Sequence, residues 1–258
     1  MKRSVSVPSN RGPYAPGNER VAHATIDGHL VTIANMRDSI YSADAPTDVR
    51  WTNETFDARD LTNLWIYFSH FSKITGIAHS EIGFEFADGR CTIASFEIRP
   101  LLGQRFAAIA GMGRNFEMTL RWASERDIIT KRLVKESSSR MYMFEADITH
   151  QRSVALFHAF LDRTNELHDS PEWYNTITNT CTTAIIDVVA EILPGQLQRT
   201  PRVLLPGTLP KYWAKRGVLK YEGKLDAAFD RASINERCRE IGDVPDFSPR
   251  FHDRNQPG

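Results

Sequence analysis

Three side chains in this sequence have the types and the spacing for nucleophilic acyl chemistry: Cys181, His79 and Glu97. Cys181 opens an apolar helix that continues through Ala184–Leu193, after Thr178, Asn179 and Thr180, any of which can cap it. First-turn amides and the positive end of the helix dipole favour a thiolate at such a position. Cys181, Ile185, Val188 and Ile192 share one helical face, so the thiol points toward whatever the helix packs on. His79 stands in a strand beside an apolar face, and Glu97 stands in the next strand. A carboxylate opposite a histidine fixes its tautomer and orientation. If the helix lies on the polar face of that hairpin, the three groups converge and the sulfur is set to attack an acyl carbonyl. The oxyanion would then face the amides at the helix start, Thr182 among them, with the Asn179 side chain in support. On that reading Glu97→Gln leaves the fold intact and lowers the rate.

Each residue also has an ordinary reading. Cys181 can be a small buried hydrophobe and His79 a satisfied core or edge histidine. Cys91 falls in a strand, and Cys238 sits among charged residues in what reads as a surface helix. Arg99, Arg37 and Arg50 can bind an anionic headgroup or carboxylate, or serve in ion pairs. Trp51, Trp173 and Tyr174 read as core aromatics, with Tyr174 kept as a substrate-side candidate. His79-Ser80-Glu81 has the H-x-E spacing of zinc deaminases, but no P-C-x-x-C follows, so no metal and no cofactor is expected.

The elements that must position these groups are legible in outline. Ala24–Ile33 reads as a hairpin around Asp27-Gly28. Asp60 caps an expected short helix over Leu61–Ser72. From Ile77 to Arg99, Ile82, Phe84, Phe86, Ala94, Phe96 and Ile98 alternate with His79, Glu81, Glu85, Ser95 and Glu97. A two-residue Asp88-Gly89 turn would pair His79 with Ile98. A three-residue loop with Gly89 in the left-handed position pairs His79 with Glu97 and segregates the faces, which favours it. Strands follow at Glu117–Trp122 and Arg140–Ala146, an amphipathic helix at Ser153–Glu166, and a helical stretch near Leu225–Glu240. The fold class is therefore α+β, an antiparallel sheet carrying the cysteine-bearing helix.

The composition limits the alternatives. The chain has 258 residues, 32 basic against 32 acidic, and 3 cysteines. Balanced charge argues against a dedicated nucleic-acid binder, and three cysteines make no disulfide framework. No apolar run approaches ~20 residues. Met1-Lys2-Arg3 is basic, but no apolar stretch follows to make a signal peptide. Residues 1–20 and about the last 15 read as mobile tails, 21–215 as one catalytic domain and 216–258 as a helical extension and tail.

Several segments in order resemble a known family: Asn35-Met36-Arg37-Asp38, Val49-Arg50-Trp51, Ile77-Ala78-His79-Ser80, Gly83–Gly89, Ser95–Arg99 and Glu172–Thr183. Over roughly residues 24–215 the chain resembles the Lnb-type N-terminal periplasmic domain family of bacteria. That resemblance implies a circularly permuted papain-like, NlpC-like fold, with the histidine strand preceding the cysteine helix. It implies a periplasmic or cell-envelope location and a lipoprotein N-acyltransferase activity. The cysteine would take a fatty acyl group from phospholipid as a thioester and pass it to the amino terminus of a lipoprotein. Cys181 matches the nucleophile and His79 the base. Acyltransferase members carry attached membrane segments, and none is read here. A soluble cysteine amidase or peptidase can use the same three side chains, and a non-enzymatic envelope binding domain can keep the same scaffold.

Overall fold

The computed structural model describes residues 7–41, 46–70, 79–104, 115–135, 140–175, 178–200 and 209–253. The first half is strands: β1 (His23–Asp27), β2 (Leu30–Arg37), β3 (Ile40–Tyr41), β4 (Pro46–Asp48), β5 (Trp51–Asp57), β6 (Leu61–His70), β7 (His79–Phe86), β8 (Cys91–Arg99) and β9 (Glu117–Ser124). Then come α1 (Glu125–Thr130), running on as a π-helical turn over Lys131–Lys135, and β10 (Arg140–Glu145). Helices complete the chain: α2 (His150–Asp169), α3 (Cys181–Ile192), α4 (Leu209–Lys215), α5 (Leu225–Arg231), α6 (Asn235–Ile241) and α7 (Phe247–His252).

The main sheet runs β1-β2-β9-β8-β7-β6-β10, with β5 also on β2 and β3-β4 forming a separate ribbon. Its pairings are antiparallel except for a single parallel contact between Arg37 and Ala123. The α+β class expected from the pattern is the observed one. The helix expected over 61–72 is instead β6, whose described residues reach His70. Leu61, Leu64, Trp65 and Phe68 imitate helical spacing because the strand from Leu64 to Ser69 is buried on both faces. A doubly covered strand shows no alternation.

The β7–β8 hairpin takes the three-residue loop. Phe86 N–H donates to Arg90 O, and Gly89 N–H donates back to Phe86 O, both at 2.9 Å. Gly89 sits at φ +83°, where a side chain would be strained. The ladder runs Ile82↔Ala94, Phe84↔Thr92 and Glu85↔Cys91. Carried to the strand ends, that register sets His79 level with Glu97 and Glu81 level with Ser95.

The even-numbered hairpin residues Ile82, Phe84, Phe86, Ala94 and Phe96 join one core with Phe157 and Phe160 of α2 and Ile185, Ile186 and Val189 of α3. The opposite face has its own apolar cluster, Trp65, Tyr67, Cys91 and Ile93, beneath Ile128, Ile129, Cys238, Phe247 and Phe251. Cys238 is therefore buried, not on a surface helix: Ile241 and Phe247 turn this stretch inward. Leu225–Glu240 is two helices, broken at Ser233.

Both chain ends are held further out than composition suggests. Ser9 and Asn10 donate their backbone N–H groups to Glu117, Tyr14 Oη donates to Glu117 Oε2 at 2.5 Å, and Arg99 donates to the Asn18 carbonyl at 3.1 Å. The segment from Val7 to Arg20 is thus tied by polar bonds that its Pro- and Asn-rich composition does not reveal. At the other end, Phe247 and Phe251 are buried.

Gly83 is closely packed on the second face. A Cβ there would lie 2.7 Å from the Tyr67 ring and 3.3 Å from Cys91 Sγ. Gly83→Ala is expected to lower stability by about 1–3 kcal/mol through overpacking. Urea unfolding of the two proteins checks this, and equal midpoints would show that the ring moves freely aside.

Candidate active site

The odd-numbered hairpin residues build a buried polar layer. His79, the first residue of β7, brings its Nε2 to 2.8 Å from Ser95 Oγ and 3.6 Å from Glu81 Oε1. Ser95 Oγ donates to Glu97 Oε1 at 3.4 Å. A hydroxyl has one proton; with it given to Glu97, Ser95 must accept from Nε2–H. The lone pair of His79 then lies on Nδ1, the nitrogen able to take a proton. Glu97 itself does not touch the imidazole and is connected to it through Ser95.

Cations crowd this layer. Arg121 of β9 donates to Glu97 Oε2 at 2.5 Å, and Lys131 Nζ lies 3.3 Å from the same oxygen. Arg132 donates to Glu81 Oε1 at 3.0 Å and lies 3.7 Å from Glu97 Oε1. Burial works against ionisation of Glu97, but Arg121, Lys131, Arg37 and Arg132 outweigh it and hold the carboxyl well below its usual range. Burial raises Glu81, with Arg132 opposing. Burial, then the charge of Arg132, lowers His79 to about 3. The imidazole is therefore neutral, with its lone pair free but less basic than that of an exposed histidine. Lys131 is lowered to about 7, chiefly by burial, with Glu97 opposing.

His79, Glu81 and Glu97 bring ligand atoms within 4.8 Å of one another, a spacing suited to a cation. The carboxylates already face Arg121, Lys131 and Arg132, so the donor set is charge-compensated and a poor fit for a metal.

Cys181 begins α3 under a capping box. Thr180 Oγ1 accepts from Thr183 N–H at 3.1 Å, and Thr183 Oγ1 accepts from Thr180 N–H at 2.8 Å. Ala184 N–H donates to Thr180 O. The Thr182 amide is hydrogen-bonded to the Cys181 sulfur, and the Cys181 and Thr182 amides stand in the first turn, where an oxyanion formed at that sulfur would be met. Asn179 is not one of them: its Nδ2 donates to Glu172 and to the Trp173 carbonyl, bracing the approach to the helix. Burial raises the Cys181 thiol to about 11, with hydrogen bonds from Thr182, then the charge of Arg132, pulling the other way.

The helix lies on the apolar face of the hairpin, not on the polar face as expected. Ile185, Ile186 and Val189 can bury only against Ile82, Phe84 and Phe96, and the charged layer opposite offers them nothing. In this arrangement the sulfur and imidazole are not hydrogen-bonded. The Cys181 partner is Thr182 Oγ1 at 4.0 Å, and His79 bonds through Nε2 to Ser95. The thiol does feel the charges of Arg132 and Glu81, the same pair that flanks His79.

The remaining candidates separate. Arg37 is buried in a forked pair with Asp127, with bonds at 3.0 Å and 2.6 Å. Arg99 lies over the Tyr14 ring and binds the Asn18 carbonyl, so it holds the N-terminal segment. Arg50 is exposed and paired with Asp48. Tyr174 is buried near Cys181, and its hydroxyl is raised by burial and by that thiol. Ser95 and Arg121 were findable from strand alternation. Nothing in the pattern around Lys131 and Arg132 shows that their turn folds back over the sheet.

Residues 47–213 match the family model of the Lnb N-terminal periplasmic domain. No curated protein and no solved structure matches the chain.

Glu97→Gln removes the carboxylate facing three buried cations. The variant is expected to lose about 3–5 kcal/mol of stability, the cost of uncompensated buried charge, which revises the expectation of an intact fold. Denaturant unfolding reads this directly; an unchanged midpoint would show that the cations are compensated elsewhere. His79 has a folded pKa of about 3 against an ordinary 6.5. The stability held in its neutral form is complete above about pH 6.5 and drains away as the pH falls toward 3. Imidazole NMR signals from His79 should therefore stay those of the neutral ring at pH 5, and a midpoint near 6.5 would refute the assignment.

Proposed function

The chain belongs to the Lnb N-terminal periplasmic domain family, a domain of the periplasm or cell envelope, and from that premise we propose that it is a thiol acyl-transfer enzyme. Cys181 takes a fatty acyl group from phospholipid and passes it to the terminal amine of a lipoprotein. The supporting observation is the setting of Cys181. It is the partly exposed cysteine of the three, at the first position of a capped helix, with the Thr182 amide on its sulfur. The circularly permuted papain-like kinship belongs to the same proposal, supported by the order of base strand before nucleophile helix.

The chemistry balances as two transfers. His79 Nδ1 takes the thiol proton, the sulfur adds to the ester carbonyl, and the oxyanion is met by the Cys181 and Thr182 amides. The C–O bond breaks, and His79 returns the proton to the departing alcohol. The acceptor amine then attacks the thioester, gives its proton to His79, and the C–S bond breaks with the thiol restored. The reading requires the sulfur and the imidazole to meet in the reacting complex, and substrate binding must supply that motion.

A second reading is hydrolysis, in which water takes the place of the acceptor amine. No helix of the described residues is long and apolar enough to cross a membrane.

Incubation with phospholipid and a diacylated lipopeptide, read by mass spectrometry, separates these outcomes. An acyl adduct on Cys181 and an amide on the peptide are expected, whereas free fatty acid without peptide amide selects hydrolysis. His79→Ala should slow the reaction roughly 10²–10⁴-fold. Neither adduct nor product would leave a binding domain. Iodoacetamide should modify one thiol in the native chain, Cys181, about tenfold faster for each pH unit between 7 and 9, because that thiol titrates near 11. A pH-independent rate would overturn the thiol assignment.

A further inference from the structure

A second cluster of ligating side chains lies on the same face of the sheet as His79, apart from the site described above. Cys91 begins β8, Glu125 begins α1 and His252 ends α7. Their ligand atoms all lie within 4.8 Å of one another, with His252 Nε2 at 2.9 Å from Glu125 Oε1. Cys91 is 4% exposed, Glu125 0%, and the His252 side chain 6%. Glu125 Oε2 is buried with no hydrogen-bond partner. A buried carboxylate oxygen left bare is costly, and it belongs to the carboxylate that His252 already touches through Oε1.

We propose that Cys91, Glu125 and His252 form a binding site for a divalent transition-metal ion, zinc by the donor chemistry. One sulfur, one nitrogen and one carboxylate oxygen are the ligand types zinc takes. Zinc's bond lengths put donors about 3.3–3.8 Å apart in a tetrahedron, so His252 Nε2 and Glu125 Oε1, 2.9 Å apart, open slightly to admit the ion. Binding releases two protons to solvent, one from the Cys91 thiol and one from the His252 imidazolium of the Glu125 ion pair, and thiolate, carboxylate and neutral imidazole then balance the charge of the ion.

The surroundings differ from those of His79. There three cations fill the space between the carboxylates. Here the ligands are a thiol, a carboxylate with one bare oxygen and an imidazole. One arginine, Arg237, is felt by His252, and it is bound to the Arg250 and Asp253 carbonyls. Supporting groups are in place: Tyr67 Oη donates to Glu125 Oε1 at 2.5 Å, and Trp65 stacks on the His252 ring at 5.1 Å. Such second-layer contacts orient metal ligands. The site joins the start of β8, the start of α1 and the C-terminal helix, so metal would staple α7 to the sheet.

Cobalt(II) titration of the reduced full chain tests this independently of any acyl chemistry. One equivalent should bind, with a thiolate-to-cobalt charge-transfer band that zinc displaces. Cys91→Ser should abolish that band, and His252→Ala should weaken binding at least tenfold, while Cys181→Ser keeps both. Zinc should raise the melting temperature of the wild type and not of Cys91→Ser. Absence of the band in the wild type, or its survival in Cys91→Ser, would overturn the site and leave a buried Glu125–His252 ion pair.

Discussion

The structure depends on one constraint: a sheet covered on both faces, in which the charges buried around His79 are held as close pairs. Glu97, Arg121, Lys131 and Arg132 can be buried together because each charge has a partner within 2.5–3.7 Å. Remove that pairing and the turn after α1 has no reason to sit on the sheet, since ions leave water only for close partners. Burial, aided by Arg132, keeps His79 neutral, and the Ser95 bond at Nε2 leaves Nδ1 free. Stability and candidate chemistry share one set of atoms.

The apolar face imposes the complementary rule. An aromatic cluster of Phe84, Trp122, Phe157 and Phe160, with ring centroids 5.0–5.7 Å apart, anchors α2. That packing leaves α3 a strip of β7 and β8 on which Ile185, Val188 and Val189 are buried. A helix this apolar cannot lie on the charged face, and the sulfur at its tip is not hydrogen-bonded to the imidazole, although it feels the charges of Arg132 and Glu81 beside that ring.

The two groups of potential ligands on the second face illustrate how charge, not ligand type, separates functions. Both contain a histidine and a glutamate in close contact. Around His79 the positive side chains arrive from β9 and the π-helical turn, and the result is an ion-pair layer. Around His252 the neighbours are Tyr67, Trp65 and Cys91, and one carboxylate oxygen stays bare.

Local pattern alone carried much of this. Alternation from His79 to Arg99 and the left-handed Gly89 determined the hairpin, its register and the side of the sheet on which His79, Ser95 and Glu97 stand. The capped start of α3 and its apolar stripe were equally local, since caps and helical period act within a few residues. The identity of β6 was not, because a strand buried on both faces loses its period. Nor was the face taken by α3, the inward turn of Cys238, or the return of Lys131 and Arg132 to Glu97. Those are choices among packings of similar local quality, and they are made by which surfaces can share a dry interface and which charges find partners. Such choices join residues far apart in the chain, where spacing carries no signal.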